Sequence, residues 1–146
     1  MKSPPYLSLL HYPEQGMVYS QWLRTVDSAE YRQALLSVCD LIRKSNANYW
    51  LLDLSRATSP TISDQNWTTD LLGQNLLQSH IRKIAFVLPD DLFMEVITEK
   101  VSTKVKMLTN NQIQIGRFSN LEIAQQWLGS RSDLEGLFRY EEPTPA

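Results

Sequence analysis

A carboxylate sits near the end of an otherwise apolar run, Tyr49 to Ser55 (YWLLDLS), and a polar segment rich in hydroxyls follows it. Asp53 in such a run must find a partner or face a cleft, because an ionised group buried with neither is costly. Ser55, Arg56, Thr58, Ser59 and Ser63 come next, and Trp67 falls one turn into the helix expected beyond them. Together these residues can line a crevice: Asp53 and Arg56 supply charge, the hydroxyls supply hydrogen bonds, and Trp67 supplies an aromatic wall. That is the chemistry of recognising a partner or ligand. A plainer arrangement competes with it, in which Asp53 caps the loop or pairs with Arg56 and Trp67 packs in the core.

The remaining reactive residue types offer less. His11 and His80 have no acidic or nucleophilic neighbour in sequence, and both read as structural or solvent-facing. The only cysteine, Cys39, lies beside Val38 on an amphipathic stretch, where a half-buried packing residue is the expectation and a reactive thiol the alternative. A Gly-rich phosphate loop, a GxSxG elbow, an HExxH helix and metal-ligand spacing are all missing from the sequence. No catalytic, cofactor-binding or metal-ligating residue is therefore predicted, and the chain is expected not to be an enzyme. Arg82, Lys83, Lys100, Lys104 and Lys106 can form basic patches, with a solvated helix face as the default.

These residues need a scaffold, and 146 residues suffice for one domain with its own core. A hydrophobic fraction of 42%, a charged fraction of 21% and a formal net charge of -2 suit a globular chain and argue against a nucleic-acid binder, which would carry a basic face. A single cysteine excludes an intramolecular disulfide and a cysteine-pair zinc site. No segment approaches ~20 apolar residues and the first ten do not form a signal-peptide core, so a cytoplasmic setting with no transmembrane segment is expected.

Tyr6 to Tyr12 and Met17 to Arg24 flank the turn cluster Pro13-Glu14-Gln15-Gly16, which predicts an antiparallel hairpin. Asp27 with Glu30 predicts a capping box, and Tyr31, Leu35, Val38 and Ile42 recur at helical spacing. After the YWLLDLS strand, Ser63 or Asp64 is expected to cap a helix that carries Trp67, Leu71, Leu72 and Leu76 and closes near His80. Ile84 to Leu88 is the next buried strand, and Pro89-Asp90-Asp91 starts a helix expected to turn Phe93, Val96, Ile97, Val101 and Val105 inward. Asn110-Asn111 turns into a half-exposed edge strand, Gln112 to Phe118. Ser119 and Glu122 suggest a second capping box for a helix from Asn120 to Leu128, with Phe118 stapled onto Ile123 and Gly129 as its stop. The sum is a single α/β domain over residues 1–130, with a mixed sheet of four to five strands beginning with an antiparallel hairpin and about four helices. Residues 131–146 form a C-terminal tail expected to be partly docked or disordered.

In this order the chain resembles the STAS-like, SpoIIAA-like domains of bacterial anti-sigma-factor antagonists and their relatives. Asp27 to Asn46 resembles the first helix, Tyr49 to Ser55 the "hhhDhS" strand, Arg82 to Leu88 (RKIAFVL) the following strand, and Phe118 to Leu128 (FSNLEIAQQWL) the strand end and terminal helix. The resemblance covers Tyr6 to Leu128 and implies a βα superhelical arrangement and a regulatory, protein-binding role. Antagonists of this kind carry a phosphorylatable serine in an Asp-Ser-Ser-Gly-type turn. Here Arg56-Ala57-Thr58-Ser59-Pro60 follows instead, longer and without glycine, and Ser63 is the hydroxyl at a helix N-terminus. A phosphate on Ser63 would be favoured there by the helix dipole, and the same position equally suits an ordinary cap.

The expectation is a non-enzymatic cytoplasmic domain that binds a protein partner through Asp53, Ser55, Arg56, Thr58, Ser59, Ser63 and Trp67. The alternative is a small-molecule or lipid-binding module using a pocket near the loop after the Tyr49–Ser55 strand. Self-association through the edge strand or the first hairpin stays open.

Overall fold

The computed structural model describes residues 4–129 and 144–145. Along the chain run β1 (Leu7–Tyr12), β2 (Met17–Trp22), α1 (Ser28–Ser45), β3 (Tyr49–Asp53), α2 (Ile62–Leu77), β4 (Lys83–Val87), α3 (Leu92–Leu108), β5 (Gln114–Phe118), α4 (Leu121–Leu128) and β6 (Thr144–Pro145). The sheet order is β5-β4-β3-β2-β1-β6. β1 and β2 form the antiparallel hairpin, while β2, β3, β4 and β5 are mutually parallel. This is the α/β architecture expected, one mixed sheet of five strands with four helices, extended at the β1 edge by two residues of β6 that pair with Leu10 and His11.

The hairpin turn depends on Gly16, whose φ of 65° is left-handed. Its carbonyl also accepts from the amides of Asn48 (2.8 Å) and Tyr49 (3.0 Å), so the turn and the start of β3 are held together. Asp27 and Glu30 form the capping box of α1, and Asn46 ends that helix with φ 54°. Asn110 and Asn111, also left-handed, turn the chain out of α3.

Each parallel step moves in the same direction across the sheet. Because such crossovers are right-handed, α1, α2 and α3 all fall on one face. Trp50, Leu52, Ile84 and Phe86 meet them there with Val38, Ile42, Leu72 and Val105, forming the larger core. The opposite pleat positions, Met17, Tyr49, Leu51, Ala85 and Val87, pack against Ala124 and Leu128 of α4. β3 and β4 are buried along their whole lengths, which explains their continuous apolar runs. Trp50 is completely enclosed, and its indole Nε1 donates to Ser20 Oγ at 3.0 Å.

Several local expectations are corrected. Thr61, rather than Ser63 or Asp64, caps α2: its hydroxyl accepts from the Asp64 amide at 3.1 Å, which leaves the Asp64 side chain free to turn inward. That helix closes at Leu77, short of His80. Asn120, rather than Ser119, caps α4 and accepts from the Ile123 amide. Phe118 stays in the ladder, its carbonyl accepting from Leu88, so Ser119 is consumed as the connection and Phe118 packs on Trp127 instead of Ile123. In α3, Phe93 and Val96 point outward while Met94, Thr98, Val101, Ser102 and Val105 are buried. Thr98 can take an inner position because its hydroxyl is satisfied by the Met94 carbonyl, a route hidden from an apolar-only count. Lys83, read as a surface cation, is buried, with Nζ 3.0 Å from the Trp127 carbonyl and above the Trp127 ring.

Candidate functional site

In open parallel sheets, ligands collect where the strand order reverses and neighbouring loops part. β2 through β5 wind in one direction, so no such crevice opens between the parallel strands. The cleft at their C-terminal end lies instead inside the helix layer. It is a cavity of about 70 Å³ between α1, α2, α3 and the sheet, walled by Trp22, Leu52, Leu54, Phe86, Met94 and Val101. The loop after β3 roofs it with Ala57, Thr58 and Pro60.

Two polar features edge this apolar space. Trp22 stacks on Tyr31 with ring centroids 5.5 Å apart, and the Tyr31 hydroxyl lies 2.7 Å from Thr68 Oγ1. Thr68 directs its own proton to the Asp64 carbonyl, so Tyr31 is the donor in that pair. Burial pushes the Tyr31 phenol up to about 12 and keeps it neutral at ordinary pH. Arg24 also reaches the cavity, but its guanidinium is engaged by Glu30 at 3.0 Å and lies over the Tyr6 ring.

The residues singled out from sequence separate into three places. Asp53 faces the α4 side of the sheet, away from the cavity: Oδ2 accepts from Tyr19 and Gln21, both at 3.2 Å, and Oδ1 from the Ser55 amide and hydroxyl. Burial, followed by the Asp53 charge, raises the Tyr19 phenol far above the usual tyrosine range. Ser55 is thus tied to Asp53, and exposed Arg56 stands near enough to moderate Tyr19. Thr58 lines the cavity, and Ser59 is exposed beside it. Ser63 and Trp67 belong to a third group on the α1–α2 seam. There Arg32 donates to Ser63 at 3.2 Å, pairs with buried Asp64 at 2.8 Å and covers the Trp67 ring at 5.0 Å. Trp67 therefore packs on the core and under Arg32 rather than walling the crevice.

Burial pushes the Asp64 carboxyl upward, but hydrogen bonds from Arg32 and Ser28 together with the Arg32 charge outweigh it and hold the group below the ordinary range. Neither histidine joins any of the three places: His11 is half-buried in β1 and His80 exposed after α2. Among the described residues no cluster of three or more His, Cys, Asp or Glu could hold a metal ion, and no helix is long and apolar enough to cross a membrane.

The same end of the molecule carries exposed apolar residues, two of which, Phe93 and Val96, the periodicity reading turned inward. Ile62 at the start of α2 is 70% exposed, and Leu92, Phe93 and Val96 at the start of α3 are 77%, 75% and 63% exposed. The signal available in sequence was the offset of Leu92 and Val96 from the stripe running through Met94, Thr98 and Val101. No protein-family model, curated protein or solved structure matches this chain.

Proposed function

We propose that this chain is a non-enzymatic, cytoplasmic binding domain, similar in role to STAS-like regulators, that recognises a protein partner. Its contact surface is the end of the sheet where the loop after β3 and the N-termini of α2 and α3 emerge. One observation carries this reading: Ile62, Leu92, Phe93 and Val96 hold large apolar side chains in water at that end. Large apolar side chains exposed together at one end of a domain are a mark of interaction surfaces. The family resemblance supports the regulatory role through element order, and Ser63, exposed on the first turn of α2 beside Arg32, is the residue at which a phosphate could modulate it.

The test is quantitative capture from native lysate with the intact chain as bait, against a Leu92→Ser/Phe93→Ser variant whose folding is checked by circular dichroism. Specific enrichment with wild type and its loss with the folded variant is the expected result. Recovery of the bait alone counts against a protein partner.

A second reading has its own observation, the apolar cavity beneath the loop. Its volume of about 70 Å³ is less than half of the ~150 Å³ that admits benzene, so a lipid or drug-sized ligand requires the loop to lift. That magnitude ranks it below the protein partner. Native mass spectrometry of the purified chain would show a copurifying mass if this reading holds.

A further inference from the structure

We propose that the groove between α3 and the outer edge of β5 receives an extended peptide segment, carrying apolar and basic residues, that adds to the sheet as a further strand. This deepens the partner-binding reading and rests on it. β5 pairs with β4 alone among the described strands, whereas the opposite edge of the sheet at β1 is partly covered by β6. The Gln114 amide donates to the Arg82 carbonyl and the Phe118 carbonyl accepts from the Leu88 amide, so those residues turn their backbone groups toward β4. The alternate residues, Ile115 and Arg117, turn theirs outward, where an incoming strand can bond them.

The edge is not a bare ladder. A groove of about 730 Å³ runs along it, with α3 as the far wall. On that wall Leu92 and Val96 form an apolar i, i+4 pair and Glu95 and Glu99 an acidic one, with Ile115 opposite. Asp90 adds a third carboxylate against one cation, Arg117, whose guanidinium donates to the Glu95 carbonyl at 3.0 Å and stands 4.0 Å from Glu99. An added strand would present alternate side chains to this wall, apolar ones on Leu92, Val96 and Ile115 and basic ones on the carboxylates. Strand addition with main-chain bonds for affinity and wall pockets for specificity is a recurring mode of peptide recognition. The charge excess selects a basic segment over an acidic one.

The experiment titrates the intact, isotope-labelled chain with a capped seven-residue peptide Lys-Thr-Val-Thr-Lys-Thr-Val (Lys-Val), whose Lys and Val share one strand face, its counterpart with Glu in place of Lys (Glu-Val), and a Lys-Val peptide N-methylated on one edge. The proposal expects saturable shifts at Ile115, Arg117 and Val96 with Lys-Val, at least tenfold slower amide exchange at Ile115 and Arg117, and binding at least tenfold weaker with either control. Glu95→Lys/Glu99→Lys should invert the preference between Lys-Val and Glu-Val. Equal binding of the two peptides, undiminished binding of the N-methylated one, shifts confined to another face, or light scattering that shows a dimer closed through β5 would each overturn it. Partner capture from lysate that is unchanged by Glu95→Lys/Glu99→Lys would overturn the groove and leave the partner-binding reading standing.

Discussion

Ser55 Oγ donates to Asp53 Oδ1 across 2.6 Å, and the Ser55 amide donates to the same oxygen across 3.0 Å. With Tyr19 and Gln21 on the other oxygen, the buried carboxylate is surrounded by donors from β2 and from the loop after β3. The residue that looked most like a ligand-binding acid in the sequence is therefore a clamp that fixes where that loop leaves the sheet.

Removing the clamp should cost stability and loosen the loop that roofs the cavity. Asp53→Ala orphans the Tyr19 and Gln21 donors, and a loss of about 1–3 kcal/mol is expected in urea denaturation. An unchanged denaturation midpoint would show that water satisfies those donors at no cost.

Arg32 and Asp64 join α1 to α2, and their pairing makes the fold sensitive to acid. The Asp64 pKa is depressed in the native state, so its contribution is fully present above the ordinary carboxylate value of ~4 and lost as pH falls through the native value. Asp64→Asn should destabilise the chain by about 1–3 kcal/mol at pH 7, with the gap to wild type narrowing below pH ~4. Urea titrations at pH 7, 4 and 3 read this directly; a constant gap would remove the ionic part of the argument.

Cys39 is buried on α1, and burial pushes its thiol from 9.0 up to about 11. At pH 8 about one native molecule in a thousand then carries a thiolate, so a thiol reagent should label the folded chain far more slowly than the urea-unfolded one. The unfolded chain deprotonates first, and stability should fall as pH rises from about 9 toward 11, by up to about 2–3 kcal/mol from this group. Cys39→Ala should flatten that part of the alkaline profile.

Gly73 of α2 lies against Leu108 at the end of α3. A Cβ there would lie 2.6 Å from Leu108 Cδ1 and 3.1 Å from Leu108 Cβ. Gly73→Val should therefore cost about 1–3 kcal/mol through overpacking. Leu108→Ala removes the 2.6 Å contact and leaves the Cβ contact at 3.1 Å, so in that background Gly73→Ala should cost less than in wild type, a non-additivity that a double-mutant cycle measures.

Local signals carried much of the architecture. The Asp27–Glu30 box, the Gly16 turn and the paired asparagines at 110 and 111 act through backbone geometry within a few residues, so they are readable without a fold. The continuous burial of β3 and β4 was readable for the same reason: both pleat faces need apolar partners. The inward face of α3 was less legible, because Thr98 and Ser102 are buried where a count of apolar residues expects Phe93 and Val96.

The grouping of the site residues required the tertiary structure. Asp53 and Leu54 are adjacent in the chain, yet one bonds across the α4 side and the other walls the cavity beneath α1, α2 and α3. Ser63 and Trp67 follow within fifteen residues but join Arg32 on a third surface. Chain spacing dictates the alternation of a strand and the turn of a helix, both set by near-neighbour sterics. Which side of the sheet each helix covers, and hence what each alternate side chain meets, follows from the handedness of crossovers and the packing of segments distant in sequence.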